Sequence, residues 1–429
     1  MGKAQAPDTT LYEKHDVIIV GGGPVGLFCG LALAQKGIDV MVLEAEKDIV
    51  PSPRALMYFP IVLHEFAKAG ILDDVVSAGY KNQSGLTFRT PASTTNKVLA
   101  RIPPGKATTS SIDYGVQLGQ PKLAAIVRKH ALKLPNFHLR YNTRFLSLDE
   151  VDDGVRVKAR LGVTGNEKDA EVEFSASFLI AADGASSSVR KHLSIPFDGY
   201  TWSDWRFLAI NIRYDFAAHG YGAANHVIDA EDWAVIVRAS NEEEGLWRIA
   251  TGVRPDVPVE DIVDKWLPGK LEKLLPGPRP LKYELQAVNP YWAHERVAER
   301  FVKGRVIFCG DAAHVNNPLT ALGLSTGLVD VAVLGRLLPQ AFEAKSNSRI
   351  PPSWPGLLEK YATLRRTDFV KRVQKFALEG KLRIHSTDAK VIAQREDFFN
   401  MLNKNPGFGM FVASTMMETL PDNLELSLP

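Results

Sequence analysis

HDVIIVGGGPVGLFCGLALAQKGIDVMVLE, residues 15–44, switches pattern three times in thirty positions. His15-Asp16-Val17-Ile18-Ile19-Val20 is a run of mostly β-branched apolar residues and predicts a buried strand. Gly21-Gly22-Gly23-Pro24-Val25-Gly26 breaks it. Leu27 to Lys36 then reads as a helix stopped by Gly37, and Ile38 to Glu44 reads as a second strand. Strand, helix and strand in this order form a βαβ unit, whose parallel strands require a right-handed crossover. In Gly21-x-Gly23-x-x-Gly26 the first glycine allows the tight turn. The second lets the backbone approach a pyrophosphate, and the third permits close helix–strand packing. The helix start offers unpaired N–H groups to an anion. Glu44 lies 18 residues after Gly26, where a ribose hydroxyl needs an acceptor. A structural glycine turn is the bland alternative. The full order of strand, glycines, helix, strand and acid favours a bound dinucleotide.

Two later strand ends bear on which dinucleotide it is. Phe174–Ala182 leads into Asp183-Gly184, and Arg305–Cys309 leads into Gly310-Asp311-Ala312-Ala313-His314. An acid at a strand's carboxyl end points into the crevice where an α/β sheet binds ligands. Either Asp could instead be a helix N-cap. The helix expected near Gly323 could offer N–H groups to an electron-rich ring edge. His314 is a tempting general base, but packing beside the site is the plainer reading.

Composition sets the outer limits. The 429 residues are 45% hydrophobic and 23% charged with a net charge of +2, so no overall field selects nucleic acid or acidic partners. The basic, partly aromatic segment Lys360–Arg366 reads as a solvated helix face. Cys29 and Cys309 sit in apolar runs with no metal spacing, so we expect buried thiols, no disulfide framework and no metal site. The N-terminus lacks an apolar signal core, and no stretch of about 20 apolar residues is seen to span a bilayer. A soluble, cytoplasmic protein, monomer or homodimer, is expected.

Further along, helices are expected at Pro60–Ala69, Gln120–Leu134 and Leu357–Leu382. Phe145–Glu150 and Val155–Arg160 flank an Asp-Asp-Gly hairpin turn. Between Trp202 and Val288 the alternating stretches Arg206–Tyr214, Trp233–Ala239 and Trp247–Val253 predict antiparallel strands. The expected class is therefore α/β: a Rossmann-like domain of the GxGxxG type with an inserted, mostly antiparallel β-sheet substrate domain and a C-terminal helix. We divide the chain into a discontinuous nucleotide domain (1–80, 111–198 and 299–350), a substrate domain (81–110 and 199–298) and a helical segment (351–429). The tail after Ser386 gives no clear signal.

Together these motifs resemble the single-component FAD-dependent aromatic hydroxylases, the para-hydroxybenzoate hydroxylase family of flavoprotein monooxygenases, over roughly residues 15–345. The resemblance implies FAD, with Gly21, Gly23 and Gly26 at the pyrophosphate and Glu44 at the adenosine ribose. It implies that Arg54 touches the cofactor and that Gln120 lies near the adenosine. Asp183 matches the motif linked to FAD and nicotinamide use, and Asp311 matches the acid that binds the ribityl chain. Pro318, Gly323, Leu324 and Ser325 fall in the segment beside the flavin, with backbone N–H groups of Leu324 and Ser325 at its pyrimidine side. Asn317 and Ser325 replace a proline and an asparagine common in the family, and Thr320-Ala321 stand where an early glycine is usual.

The implied function is an NAD(P)H-dependent monooxygenase that inserts one atom of O2, through a flavin C4a-hydroperoxide, into an electron-rich phenol-like or polyketide-derived aromatic. NADPH or NADH would be a transient co-substrate. Alternatives on the same fold are epoxidation, Baeyer–Villiger oxidation or oxidative cyclisation in natural-product biosynthesis; a non-catalytic scaffold is a third reading. Arg54–Pro60 is similar to fungal monooxygenases of secondary metabolism. On the substrate side, Arg206 is a candidate to hold a phenolate or carboxylate, and Tyr58 a candidate to hydrogen-bond substrate. Arg238 and Trp233 are weaker pocket candidates.

Overall fold

The computed structural model describes residues 13–51, 56–105, 112–162, 170–241, 245–342 and 354–415. The expected first unit is present: strand Glu13–Val20, helix Pro24–Ala34 and strand Val40–Leu43. The helix starts three residues before Leu27. Pro24 suits the first helical turn, because its fixed φ is helical and its missing N–H would have no partner there.

These strands belong to an eight-stranded sheet. One path runs Val302–Lys303, Val306–Phe308, Ala170–Ala181, Glu13–Val20, Val40–Leu43, Phe137–Arg140. From Val306–Phe308 to Phe137–Arg140 every neighbouring pair is parallel. Strands buried on both faces need continuous apolar runs. Val17 to Val20 and Val40 to Leu43 are buried throughout. The hairpin Thr143–Val151 and Gly154–Leu161 extends the sheet antiparallel to Ala170–Ala181. Helices Pro24–Ala34, Gln120–Ala131 and Leu322–Leu337 pack together over it.

Leu322–Phe342 corrects one expectation. Its length and composition would let it cross a bilayer, but 72% of its most apolar window is buried inside the fold. It is a core helix, apolar because neighbours cover it on several sides.

A second, seven-stranded sheet runs Glu284–Tyr291, Arg206–Arg213, Leu246–Val253, Ala234–Arg238, Ala224–Val227, Leu86–Arg89, Val98–Ile102. All its pairings are antiparallel except Ala224–Val227 with Leu86–Arg89. Side chains alternate between faces along each strand. Leu208, Ile210, Ile212, Ile236, Trp247 and Ile249 share a core with Leu267, Leu271 and Leu274 of helix Leu267–Leu274. Of the residues on the other face, Ala209, Val235, Val237, Arg248 and Ala250 line the large cleft.

The predicted late helix is one continuous run: Trp354–Asp368, a π turn at Phe369–Val373, then Gln374–His385. The tail contains two further helices, Ala389–Lys404 and Pro406–Thr415. The first had a legible start, since the Asp388 carboxylate accepts from the N–H groups of Lys390 and Val391.

Candidate active site

A cleft of about 1460 Å3 lies between the two sheets and the C-terminal helices. Ordinary ligand pockets hold roughly 300–1,000 Å3, so this one has room for a dinucleotide and a second small molecule. Gly21, Gly22, Gly23, Glu44, Gln120, Asp183, Asp311, Pro318, Gly323 and Leu324 all line it.

The glycine turn is built for close approach. Gly21 has φ +110°, and a Cβ there would collide with the Ala182 carbonyl. A Cβ on Gly26 would strike the Gly21 carbonyl, whereas one on Gly23 would meet nothing within 4 Å. So Gly21 and Gly26 shape the turn, and Gly23 leaves its backbone open to the cleft. Glu44 Oε2 accepts from Gly22 N–H at 2.5 Å and Oε1 accepts from Glu46 N–H at 2.8 Å. The carboxylate is thereby fixed and keeps lone pairs for a further donor.

Asp183 is tied to the helix start that follows it. Its Oδ2 accepts from Ser188 N–H at 2.7 Å and Val189 N–H at 3.2 Å at the start of the short helix Ser188–His192, whose N-cap is Ser187. Its Oδ1 is buried and has no hydrogen-bond partner among the described residues. Buried Arg190 ties this loop to the next, donating to Ala185 O and Ala312 O. Asp311 is exposed in the turn Gly310–Ala312, directly after the buried strand.

Behind that turn is a polar network that sequence reasoning missed. Asp330, on the core helix, accepts from Gly310 N–H at 2.9 Å through Oδ2. The same oxygen is 2.7 Å from His314 Nε2, and Oδ1 accepts from Arg365 Nε at 2.7 Å. Arg365 Nη1 also donates to Asp368. Burial alone would push the Asp330 pKa up; the charges of His314 and Arg365 overcome it and hold the carboxyl below its usual range. His314 is fully buried and stacks on Phe369 at 4.5 Å. It holds the turn and does not face the cleft as a general base.

The segment after this turn departs from the familiar pattern for visible reasons. Asn317 N–H and Nδ2 both donate to buried Glu295 Oε1, and Nδ2 also donates to Ala377 O. A proline at 317 would have no N–H to give. Ala321 sits in the left-handed region at φ 57°, ψ 24°. That conformation costs a non-glycine residue about 1–2 kcal/mol, while glycine carries its own entropy cost of roughly 0.5–1 kcal/mol. Ala321→Gly is therefore expected to stabilise the protein by up to about 1 kcal/mol in urea unfolding. A destabilised variant would refute the strain argument.

Ser325 is buried, with Oγ donating to Met57 O, so its side chain does not line the cleft. Its backbone lies in the first turn of Leu322–Leu337, next to Leu324, whose N–H is among the donors without an intrahelical partner. Arg54 lies outside the described residues.

The substrate-side candidates are corrected. Tyr58 is fully buried against Phe66, with its hydroxyl unpartnered, and only its neighbours Met57 and Phe59 line the cleft. Burial pushes its pKa up, so it stays neutral. Arg206 shares the face of Leu208, turned from the cleft, and donates to Val257 O at 3.0 Å. Trp233 is fully buried against His385, and Arg238 stacks over Tyr80; neither lines the cleft. Arg206→Ala is accordingly expected to leave substrate kinetics near wild type, measured as substrate-stimulated NADPH oxidation. A large rise in KM would return Arg206 to the site.

The residues that do face the chamber are Ala209, Ala224, His226, Val235, Val237, Arg248, Ala250, Asn289 and Tyr291. They occupy alternate positions on five adjacent strands, as the pairings Ala209↔Ala250, Val235↔Ala250, His226↔Val235 and Ala209↔Asn289 require. Phe88, Phe376, Arg383, Phe398 and Phe411 add further lining. Arg248 is steered by Asn211 Oδ1 at 2.6 Å. Burial lowers its pKa to about 10, with Tyr291 opposing, so it stays cationic at neutral pH. Burial and then the charge of Arg383 lower His226 to about 3, so that ring stays neutral. The visible sequence signal was polar His226 and Arg248 inside otherwise apolar strands.

Comparison with known proteins gives concordant results. A family model described as FAD binding domain matches residues 14–377. The chain is 35% identical over 364 residues to para-nitrophenol 4-monooxygenase of Pseudomonas sp. (strain WBC-3), covering 83% of each chain. It is 36% identical over 362 residues to 6-hydroxy-3-succinoylpyridine 3-monooxygenase HspB of Pseudomonas putida (strain DSM 28022 / S16), covering 84% of this chain and 86% of the other. The crystal structure of p-nitrophenol 4-monooxygenase PnpA from Pseudomonas putida DLL-E4 superposes with a TM-score of 0.85 at 33% identity, covering 94% of this chain and 98% of that one.

Proposed function

The chain belongs to the FAD-dependent aromatic hydroxylase family and is an FAD-dependent monooxygenase; from that premise we propose that it hydroxylates a small phenol-like ring bound as its phenolate. Per turnover NAD(P)H gives up a hydride. One atom of O2 enters a ring carbon–hydrogen bond as hydroxyl, and the other leaves as water with a proton taken from solvent. When bound, FAD supplies hydride acceptance and oxygen activation, which no side chain here can perform.

The chain's own residues hold and orient. The turn Gly21–Gly23 at a helix start receives the pyrophosphate. Glu44 accepts from the adenosine ribose, with Gln120 on the same cleft; the family resemblance assigns Arg54 to the cofactor as well. Asp311 accepts from the ribityl hydroxyls, and Asp183 lies on the same cleft wall. Backbone N–H groups of Leu324 and Ser325 meet the pyrimidine edge and stabilise negative charge developing there. Residues 1–80, 111–198 and 299–350 act as the FAD-binding unit, and 81–110 and 199–298 present the substrate.

The observation that carries the phenolate reading is Arg248, a half-buried cation on the chamber face among apolar and aromatic walls. A neighbouring cation favours the anionic form of a bound phenol. The apolar walls keep water from the reacting centre. Two Pseudomonas relatives are named for a nitrophenol and a hydroxypyridine, each carrying a hydroxyl on the ring that can ionise.

The test is NADPH and NADH oxidation across a panel of para-substituted phenols and hydroxypyridines. Stimulation by ring alcohols but not by their methyl ethers supports the reading; equal stimulation by both overturns it. The pH dependence follows from the site. Arg248 stays charged up to about pH 10 and His226 stays neutral above about pH 3. Neither titrates near neutrality, so KM for a phenol is expected to fall as pH rises through the phenol's own pKa. A KM that is flat or rises across that range would contradict it.

A further inference from the structure

At the N-terminal ends of three adjacent strands of the eight-stranded sheet lies chemistry that the flavin site does not use. His15 is on Glu13–Val20, Asp39 immediately precedes Val40–Leu43, and His138 is on Phe137–Arg140. His15 is six residues from Gly21, about 20 Å along a strand rising ~3.3 Å per residue. His15 Nδ1 lies 2.6 Å from Asp39 Oδ2, and His138 Nε2 lies 3.0 Å from Asp39 Oδ1. The two rings are 5.1 Å apart, and one ligand atom from each of the three residues lies within 4.8 Å of the others. The backbone of Asp39 is fixed: its N–H donates to Asp16 Oδ2, and its carbonyl accepts from Asp16 and Val17.

We propose that His15, Asp39 and His138 form a divalent-cation site of the zinc class. A hydrogen-bonded latch would explain the two His–Asp contacts. It leaves His15 Nε2 unexplained. That side chain is only 9% exposed, and its Nε2 is buried with no hydrogen-bond partner among the described residues. The nearest acid is Glu13, whose Oε2 is 3.9 Å away. In a latch with a neutral ring, Nδ1–H donates to Asp39 and Nε2 is a bare lone pair facing a carboxylate. A metal on Nδ1 reverses the tautomer: the proton moves to Nε2 and points at Glu13. Metal-bound imidazoles commonly donate their other N–H to a carboxylate in this way. Arg140 pairs with the other oxygen of Glu13, so Asp39 supplies the anionic ligand.

Geometry and access agree. Zinc bonds of about 2.0–2.2 Å at tetrahedral angles place ligand atoms roughly 3.4 Å apart, reachable here by small side-chain rotations. His138 is 42% and Asp39 36% exposed by side chain, beside a depression of about 480 Å3 lined by Glu13, His15, His138 and Arg140. Cation entry is open, and a fourth position is left for water. Two imidazoles and one carboxylate suit zinc, nickel or copper over magnesium or calcium.

The experiment uses FAD-loaded enzyme freed of metal by chelator and then dialysed against ZnCl2 or MgCl2, with bound metal measured by elemental analysis. The expected result is one zinc and no magnesium per chain. His138→Ala should weaken zinc binding at least tenfold, with flavin content unchanged, and affinity should fall as pH drops through the imidazole range because the ligands must be neutral. His138 is partly exposed, so this variant folds independently of the outcome; Asp39→Asn is the second probe. No zinc uptake by the wild type, or wild-type affinity in both variants, would overturn the site and leave a hydrogen-bonded latch.

Discussion

Asp330→Ala is expected to cost about 3 kcal/mol of stability, the low end of the penalty for breaking a buried ion pair because Asp368 still holds Arg365, and to release FAD. The reason is the position of Arg365, only 2% exposed by side chain and held by Asp330 and Asp368. Removing the Asp330 carboxylate also strips the partner from Gly310 N–H and from His314. Both effects reach Asp311, the residue proposed for the ribityl chain. Urea unfolding and flavin content of the purified variant are the readouts. Asp330→Leu combined with Arg365→Met removes the stranded charge and should recover part of the stability. It should still lose FAD, because the Gly310 N–H remains unpaired. A stable double variant with a full complement of flavin would show that the network supports the fold without positioning the turn. The pH sign follows from the lowered pKa. Asp330 contributes stability that is present above its ordinary carboxylate value and is lost as pH falls through the depressed one.

Arg248→Met should lower kcat/KM for a phenol by about 100-fold, roughly 2.7 kcal/mol at 1.36 kcal/mol per decade, and leave FAD bound. Methionine keeps much of the side-chain volume and removes the charge, so the chamber should not collapse. The loss should be largest where the substrate is ionised and small for a neutral aromatic. Substrate-stimulated NAD(P)H oxidation against pH measures both. An unchanged pH profile would mean that Arg248 does not meet the phenolate.

What was legible in the sequence was what local chemistry dictates. The turn at Gly21, Gly23 and Gly26 is readable because only glycine tolerates φ +110° at Gly21 and the close carbonyl at Gly26. Glu44, Asp183 and Asp311 were readable because each ends an apolar strand. Both cysteines are buried as expected, with Cys29 pushed up to about 12 by burial and so inert as a thiolate. The chamber was not readable. Arg206 and Arg248 both sit in alternating strands, and alternation says that two faces differ without saying which one meets the ligand. Helix Leu267–Leu274 decides that by covering the face that includes Leu208 and Ile249. Tyr58 looked available because Arg54 is close in sequence, but in a strand its neighbours Met57 and Phe59 point to the cleft and Tyr58 points to the core. The Asp330–Arg365 pair spans 35 positions on two helices and has no local signature.

The most direct measurement is product mass after turnover of a para-substituted phenol with NAD(P)H under 18O2. The expected product is the ring-hydroxylated compound with one labelled oxygen per molecule, formed in step with NAD(P)H consumed. NAD(P)H consumption that yields only hydrogen peroxide across the phenol and hydroxypyridine panel, or a product whose new oxygen comes from water, would contradict the proposed hydroxylation.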